Sequence, residues 1–451
     1  LNPEARTKVT PALTIIPREQ HVVSRKNISK AALRVLYRLN EAGYAAYLVG
    51  GAVRDLLLGG HPKDFDVATS ATPDEVKKLF RNCRLIGRRF RLAHVVFGPE
   101  IIEVATFRGT GEEDGSEGDR HIVDGRIVRD NVWGTIEEDA VRRDFRVNAL
   151  YYDISDFSVR DYVGGMQDVE NKVLHLIGDP ATRYREDPVR MLRAARLAAK
   201  LEFRIDPKAA APFEELGPLL AEAAPARLFD ESLKLFMAGH GLKSFRMLEK
   251  CGLLKFMFPA TARALKRGDE GLRSLIEQGL ANTDARIAEG KSVTPAFLFA
   301  VLLWGEVRDL AHAWMAKGVD NTEAWSRAAI KVVGEQCQRV AIPRRFTQTM
   351  EEIWSLQPRF EQIQRKRVFR LMAQPRFRAA FDFLLLRAGE SPAIRELGQW
   401  WAHAQQLPQD VLAAALPASG GPGGDMPASS KAAAPARKRR RRKPGGKSGT
   451  A

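Results

Sequence analysis

Leu48-Val-Gly-Gly-Ala-Val-Arg-Asp-Leu-Leu-Leu-Gly59, followed by Lys63-Asp-Phe-Asp-Val67, joins an apolar strand to a double glycine, a short helix and a pair of acids. Gly50 and Gly51 let backbone N–H groups approach an anion closely, and the start of the helix adds the positive end of its dipole. Arg54, one turn into that helix, is placed to reach the same anion. A plain strand–turn–helix with a tight packing point reads the same way when taken alone. Asp64 and Asp66 supply the second feature. On a strand, residues two apart face one way, so both carboxylates project together while Phe65 and Val67 face a core. Two neighbouring carboxylates repel unless a cation lies between them. Magnesium binds through one or two carboxylates plus phosphate oxygens, and a pair of such ions clamps both oxygens of an in-line phosphoryl displacement.

Two further acids are candidates for a third carboxylate in such a site. Glu103 lies inside the apolar run Ile101–Phe107, where a charge needs a reason; exposure on one sheet face is the plain one. Asp144, in Arg142-Arg143-Asp144-Phe145, is the other, with a structural ion-pair network as its alternative. Thr135-Ile-Glu-Glu138 fits a capping box, so Arg142 and Arg143 fall late on a short helix, where cations are favourable in any case. Further on, Glu186, Arg190 and Arg193 recur at i, i+4 and i+7 and share one helix face. That spacing suits an ion pair equally well, with Asp187 capping a helix that opens on Pro188.

Ile28, Ala32, Leu36 and Leu39 give residues 28–43 an apolar stripe that ends at Gly43, which predicts a helix. Short apolar runs predict strands at Tyr44–Val49, Phe65–Thr69, Arg84–Ile86, His94–Phe97, Ile101–Phe107 and Phe145–Tyr152. Helices are predicted over Val53–Leu58 and Pro73–Phe80. From Pro180 to about Leu407 strand signals vanish, and helical patterns rich in Arg, Lys, Leu and Ala take over. The fold class is therefore α+β, an N-terminal domain with a mixed sheet followed by all-helical domains. The expected divisions are an irregular lead-in at 1–27, a mixed-sheet domain at 28–178, helical domains at 179–260 and 261–407, and a disordered basic tail at 408–451. Residues 109–125, rich in Gly and charge, read as a mobile insertion.

Composition narrows the class of partner. The chain of 451 residues is 45% hydrophobic and 28% charged, an ordinary globular balance. No stretch approaches the roughly 18 uncharged apolar residues that a membrane helix needs. Leu1–Gln20 lacks the basic stub and apolar run of a secretory signal. Cys83, Cys251 and Cys337 lie far apart without the pairing that disulfides or zinc sites require, so buried thiols in a reducing cytoplasm are expected. Nine of the sixteen net positive charges lie beyond residue 430, in a stretch without an acid. Such a tail favours a polyanionic partner, either nucleic acid or an anionic membrane surface, over a merely solubilising role.

Taken in order, Gly50 through Asp66, Glu103, Glu138-Asp-Ala-Val-Arg-Arg-Asp-Phe-Arg-Val-Asn-Ala-Leu150 and Glu186-Asp-Pro-Val-Arg-Met-Leu-Arg193 resemble the class II nucleotidyltransferase family. That family comprises bacterial poly(A) polymerases and tRNA CCA-adding enzymes. The resemblance implies that Asp64 and Asp66 ligate metal, two Mg2+ ions with Mn2+ as a substitute, and that Glu103 and Asp144 are supporting acids. It implies that Gly50, Gly51 and Arg54 hold a triphosphate and that Arg142 and Arg143 flank the nucleotide. Glu186, Asp187 and Arg190 would read the incoming base, with Arg193 and Arg196 on following turns. Leu85–Phe97 and His21–Ser29 resemble the poly(A) polymerase branch, and a basic extension suits a generic RNA end that must be held electrostatically. The implied activity is transfer of AMP from ATP to RNA 3′ ends in the cytoplasm. A CCA-adding enzyme acting on tRNA with CTP and ATP, and a catalytically idle RNA-binding protein, are the alternatives.

Overall fold

The computed structural model describes residues 13–87, 91–109, 120–123, 126–130 and 132–417. Thr14–Ile16, within the stretch expected to be irregular, forms an edge strand, β1. The lead-in is held down by His21, whose ring is hydrogen-bonded to the Phe157 carbonyl at 2.9 Å and to the Val23 N–H at 3.2 Å. Ser29 then accepts a bond from Ala32 N and opens α1 (Lys30–Glu41), which buries the expected stripe of Ala32, Leu36 and Leu39. Gly43, at φ 86°, ends it.

The expected alternation of short strands and helices follows, as β2 (Ala46–Val49), α2 (Gly51–Leu57), β3 (Asp66–Thr69), α3 (Pro73–Leu79), β4 (Cys83–Ile86), β5 (Leu92–Phe97) and β6 (Glu100–Thr106). The stretch expected to be a mobile insertion includes a strand, β7 (Arg120–Val123), which pairs antiparallel with β8 (Arg126–Asp130). Thr135 and Glu138 form the expected capping box at the start of α4 (Ile136–Arg142). The strand expected at Phe145–Tyr152 is shorter, because Arg146–Asn148 turns as a 3-10 helix and only β9 (Leu150–Asp153) joins the sheet. β10 (Val159–Asp161), α5 (Gly165–Asn171) and β11 (Val173–Leu174) complete this part.

Eight strands form one sheet in the order β1-β10-β9-β2-β3-β6-β5-β4. Every neighbouring pair is antiparallel except β3 with β6. Leu48, Val67, Val95, Ile102 and Val104 point to one face and join the buried side chains of α1 and α3 in the main core. Tyr47, Val49, Ala68, Phe107 and Tyr151 point to the other and form a smaller core with Ala140 of α4. Alternation puts Asp66 and Glu103 on this second face.

After α6 (Pro180–Glu186) and α7 (Val189–Leu201) the chain is helical, with one exception to the expectation: β12 (Arg204–Ile205) pairs in parallel with β11. The pairing ties the first helices to the sheet domain, and two residues are too few to leave a strand pattern in sequence. A helix at Gln409–Ala415 lies within the stretch expected to be disordered. It forms because Leu412 and Leu416 enter a cluster with Phe360 and Trp401. Residues 418–451, with the cationic run of the tail, lie outside the described residues, as do residues 88–90 of the Leu85–Phe97 motif. Of the thiols, Cys83 is buried while Cys251 and Cys337 are only half-buried, short of the full burial expected.

The turn from β10 into α5 closes on one carboxylate. Asp161 accepts hydrogen bonds from the N–H groups of Val163, Gly164, Gly165 and Met166, at 2.9–3.0 Å. Asp161→Ala strands these donors and is expected to cost about 3 kcal/mol, read as a lower urea midpoint at constant m-value.

Candidate active site

β2 runs into Gly50 at φ 77° and ψ −138°, a backbone conformation that side chains rarely adopt. A Cβ there would lie 3.7 Å from an Arg143 Nη atom and 3.8 Å from Asp66 Oδ2, so the turn passes directly beside the second acid. The N-terminus of α2 has no side-chain cap, and its first N–H groups are donors available to an anion. Gly51 keeps the space beside it for Arg54: a Cβ at Gly51 would be 3.3 Å from an Arg54 Nη atom.

The parallel register of β3 and β6 sets Asp66 directly opposite Glu103, and the antiparallel register of β5 sets His94 opposite Glu103 in turn. His94 Nε2 is 3.5 Å from Glu103 Oε2. Phe65 and Val67 are buried while Asp64 and Asp66 meet solvent, which is the expected alternation. Asp66 is exposed, yet desolvation by the protein around it and the nearby Glu103 push its carboxyl up to about 6; Arg143 opposes the shift and Asp64 adds to it. Among the described residues neither Asp64 nor Asp66 has a hydrogen-bond or ion-pair partner. Two unpaired hard-oxygen donors, one strained toward protonation by like charge, fit a divalent cation. Among the described residues no three His, Cys, Asp or Glu side chains gather closely enough to hold an ion by themselves, so the pair presents an open site.

Asp144 is elsewhere. It is almost fully enclosed, 2.5 Å from Arg193, and accepts bonds from Asn148 and from Phe145 N at 3.1 and 2.8 Å. Burial alone would raise its pKa, but Arg193 and these donors hold it well below the usual carboxylate range. Glu103, then, stands beside the acid pair, and Asp144 ties the sheet domain to α7. The arginines are similarly committed. Arg54 is 3% exposed and donates to Asp55, at 2.6 and 2.9 Å, and to Asn148. Arg142 reaches the Gly109 carbonyl. Arg143 binds Asp139 at 2.9 Å, and the Tyr151 hydroxyl both accepts from Arg143 and donates to Asp139, at 2.9 and 2.7 Å.

Glu186 and Arg190 do not share one continuous helix. The chain breaks at Asp187, with φ −150°, because Pro188 cannot donate into the preceding turn. The expected ion pair nevertheless forms across the break: Glu186 accepts from Arg190 and from Arg183, both at 2.9 Å. Arg183 also donates to the carbonyls of Arg142 and Arg143 at 2.7 and 2.6 Å. Asp187 accepts from Val189 N, as a cap would, and is gripped by both Nη atoms of Arg227 at 3.1 and 2.9 Å. Arg196 pairs with the buried Glu231 at 2.5 Å. Asp139 and Arg183 were within reach of sequence, at i,i+4 from Arg143 and i,i+3 from Glu186. Asn148 and Tyr151 lie within eight residues of Asp144 and Arg143, whereas no local signal marks Arg227 or Glu231, which arrive from a distant helix.

Comparison with known proteins gives the chain a family. The profile described as "Poly A polymerase head domain" matches residues 46–175. "Probable RNA and SrmB-binding site of polymerase A" matches 202–265 and "Polymerase A arginine-rich C-terminus" matches 317–444. The chain is 55% identical over 403 residues to poly(A) polymerase I of Salmonella typhi, covering 88% of this chain and 86% of that one. The chain belongs to the bacterial poly(A) polymerase family. It is likewise 52% identical to poly(A) polymerase I of Escherichia coli O157:H7 over the same shares of each chain. A solved CCA-adding enzyme of Bacillus stearothermophilus, in complex with CTP, shares the fold with a TM-score of 0.56. It is 24% identical and matches across 84% of this chain and 83% of that one. Nucleotidyltransferases of this kind depend on divalent metal.

The Asp144–Arg193 pair generates a test of its structural role. Its carboxyl is depressed relative to an unfolded value of about 4, so its stabilisation is full above that pH and is lost as pH falls toward the folded value. Asp144→Asn leaves Arg193 without its counter-charge and is expected to cost about 3 kcal/mol at pH 7. The variant is also expected to lose less stability than wild type between pH 6 and pH 3, when urea midpoints are compared across that series.

Proposed function

We propose that the chain transfers AMP from ATP to RNA 3′-hydroxyl ends without a template, releasing pyrophosphate. The observation that carries this is the unpaired Asp64–Asp66 set beside Gly50, in a chain 55% identical to a poly(A) polymerase. Magnesium, with manganese as a substitute, is the divalent ion we assign to these carboxylates; a pair of such ions held there would lower the pKa of the attacking hydroxyl and neutralise the departing oxygen. Asp64 and Asp66 hold it, and Glu103 adds negative charge from the neighbouring strand. The uncapped N–H groups after Gly50 and Gly51 take up triphosphate oxygens, together with Arg54 once it leaves Asp55. Arg142 and Arg143 flank the nucleotide. Glu186, Asp187 and Arg190 present a hydrogen-bonding edge to the base, and Arg193 and Arg196 anchor the helix that carries it.

The sheet domain at 28–178 is assigned the chemistry, 179–260 nucleotide recognition and 261–407 RNA binding. The basic stretch from Lys431 onward is assigned to RNA phosphates, with anionic lipid as its competing ligand. No described helix is long and apolar enough to cross a membrane, and we assign the enzyme to the cytoplasm. Incubation with labelled ATP or CTP, and either a generic oligoribonucleotide or tRNA lacking its terminus, tests the whole assignment. Extension of the oligoribonucleotide by ATP alone is expected; repair of the tRNA with both CTP and ATP points to a CCA-adding enzyme instead.

Two sets of variants probe the site. Asp64→Ala and Asp66→Ala are each expected to lower turnover about a thousandfold while RNA affinity stays within about twofold, because RNA is held by basic groups elsewhere. Retention of a tenth of wild-type activity in both removes the metal assignment. Asp187→Ala and Arg190→Ala are expected to reduce the ratio of kcat/KM for ATP over CTP by about tenfold. If both keep the wild-type ratio, these residues are a cap and an ion pair and nothing more.

A further inference from the structure

The back of the sheet carries a feature that the chemistry does not use. A cleft of about 670 Å3 opens between α1 and the turn from α3 into β4, lined by Arg34, Tyr37, Arg38, Glu41, Arg81 and Phe97. It lies among the helices that cover one face of the sheet, whereas alternation puts Asp66 and Glu103 on the other. Arg34 and Arg38 stand one turn apart on the outer side of α1, a like-charge spacing that opposes helix formation. Among the described residues no carboxylate lies within ion-pair distance of Arg34, Arg38 or Arg81, and Glu41 pairs with none of them. The two rings are held in place. Arg25 donates to the Tyr37 hydroxyl at 2.7 Å, and the Arg34 guanidinium sits 5.7 Å from the centre of the Phe97 ring.

We propose that this cleft binds a single-stranded segment of the RNA substrate upstream of its 3′ end. Guanidinium groups without counter-charge take phosphates, and the exposed Tyr37 ring takes a base by stacking, so the combination suits a single strand better than an ion or an acidic peptide. β4 is the edge strand, three strand spacings or about 14 Å from β3. RNA with its 3′ end at Asp66 reaches the cleft by passing from one face of the sheet to the other, so the contact belongs to long acceptors and not to short ones. The proposal rests on RNA being the acceptor.

Fluorescence anisotropy with the full chain and oligoadenylates of about 8 and about 40 nucleotides tests it, the shorter falling within a single strand-binding site. The double variant Arg34→Gln, Arg38→Gln is expected to weaken the long oligomer about fivefold and to reduce the slope of log affinity against log salt by about 1.4, at about 0.7 per lost phosphate contact. Affinity for the short oligomer, its rate of extension and the KM for ATP are expected to stay at wild-type values, which also shows that the variant is folded. Tyr37→Ala is expected to weaken the long oligomer about fivefold with no change in salt slope, since a ring releases no counterion. Unchanged affinity for the long oligomer in the double variant overturns the proposal. Equal weakening of both oligomers overturns it too, because the arginines then act at the 3′ end. Failure of the wild-type chain to extend either oligomer with ATP would instead remove RNA as the acceptor.

Discussion

The parallel pairing of β3 with β6 brings Asp66 and Glu103 side by side, and the acidity of the site follows from that register. In a sheet whose other neighbours are antiparallel, this one pair requires the chain to cross over through α3, β4 and β5 before returning. The return sets Glu103 beside Asp66, and with desolvation by the surrounding protein the Asp66 carboxyl rises to about 6. Arg143 is the cation that tempers it, and Arg143 is itself positioned by Asp139 and the Tyr151 hydroxyl. Like charge at close range is stored electrostatic energy that a divalent ion releases on binding. The same small region carries the N-terminus of α2, which has no side-chain cap.

A second constraint is the joint between sheet and helices. Burying an ion pair costs several kcal/mol of desolvation, which good geometry recovers only in part, so a pair such as Asp144–Arg193 fixes an arrangement more than it adds stability. Arg183 reinforces the joint by donating to two backbone carbonyls at the end of α4 while holding Glu186. The short β11–β12 ladder adds backbone bonds to the same junction. These contacts keep the acids of the sheet and the polar edge of α6 and α7 in a defined relation.

Features with a short physical range were legible before the structure was known. The alternation at Asp64–Val67 gave the right pattern of burial, although the strand itself begins only at Asp66. The Thr135–Glu138 capping box and the stripe of α1 are likewise complete within a few residues. The order of the motifs was enough to indicate the family, which the comparisons then showed. Other elements escaped, among them β1, β7, β10 and β12 and the helix at Gln409–Ala415. β1 and β12 are strands only because a distant edge accepts them, and Gln409–Ala415 is a helix because a hydrophobic cluster is there to receive Leu412.

The sequence by itself determined which groups are available: two acids at strand spacing, a glycine pair before a helix, a Glu-Asp segment followed by arginines, and a surplus of cations at the end. Tertiary structure decided which of them meet. Spacing left Glu103 and Asp144 as equal candidates for the third acid. Strand register put the first beside Asp66, and helix packing gave the second to Arg193. It also supplied Arg227 and Glu231 as partners for Asp187 and Arg196 from a helix dozens of residues away. The physical reason is range: propensity, capping and periodicity act over a turn or two, whereas electrostatic partnership is set by through-space distance, which only the packed chain defines.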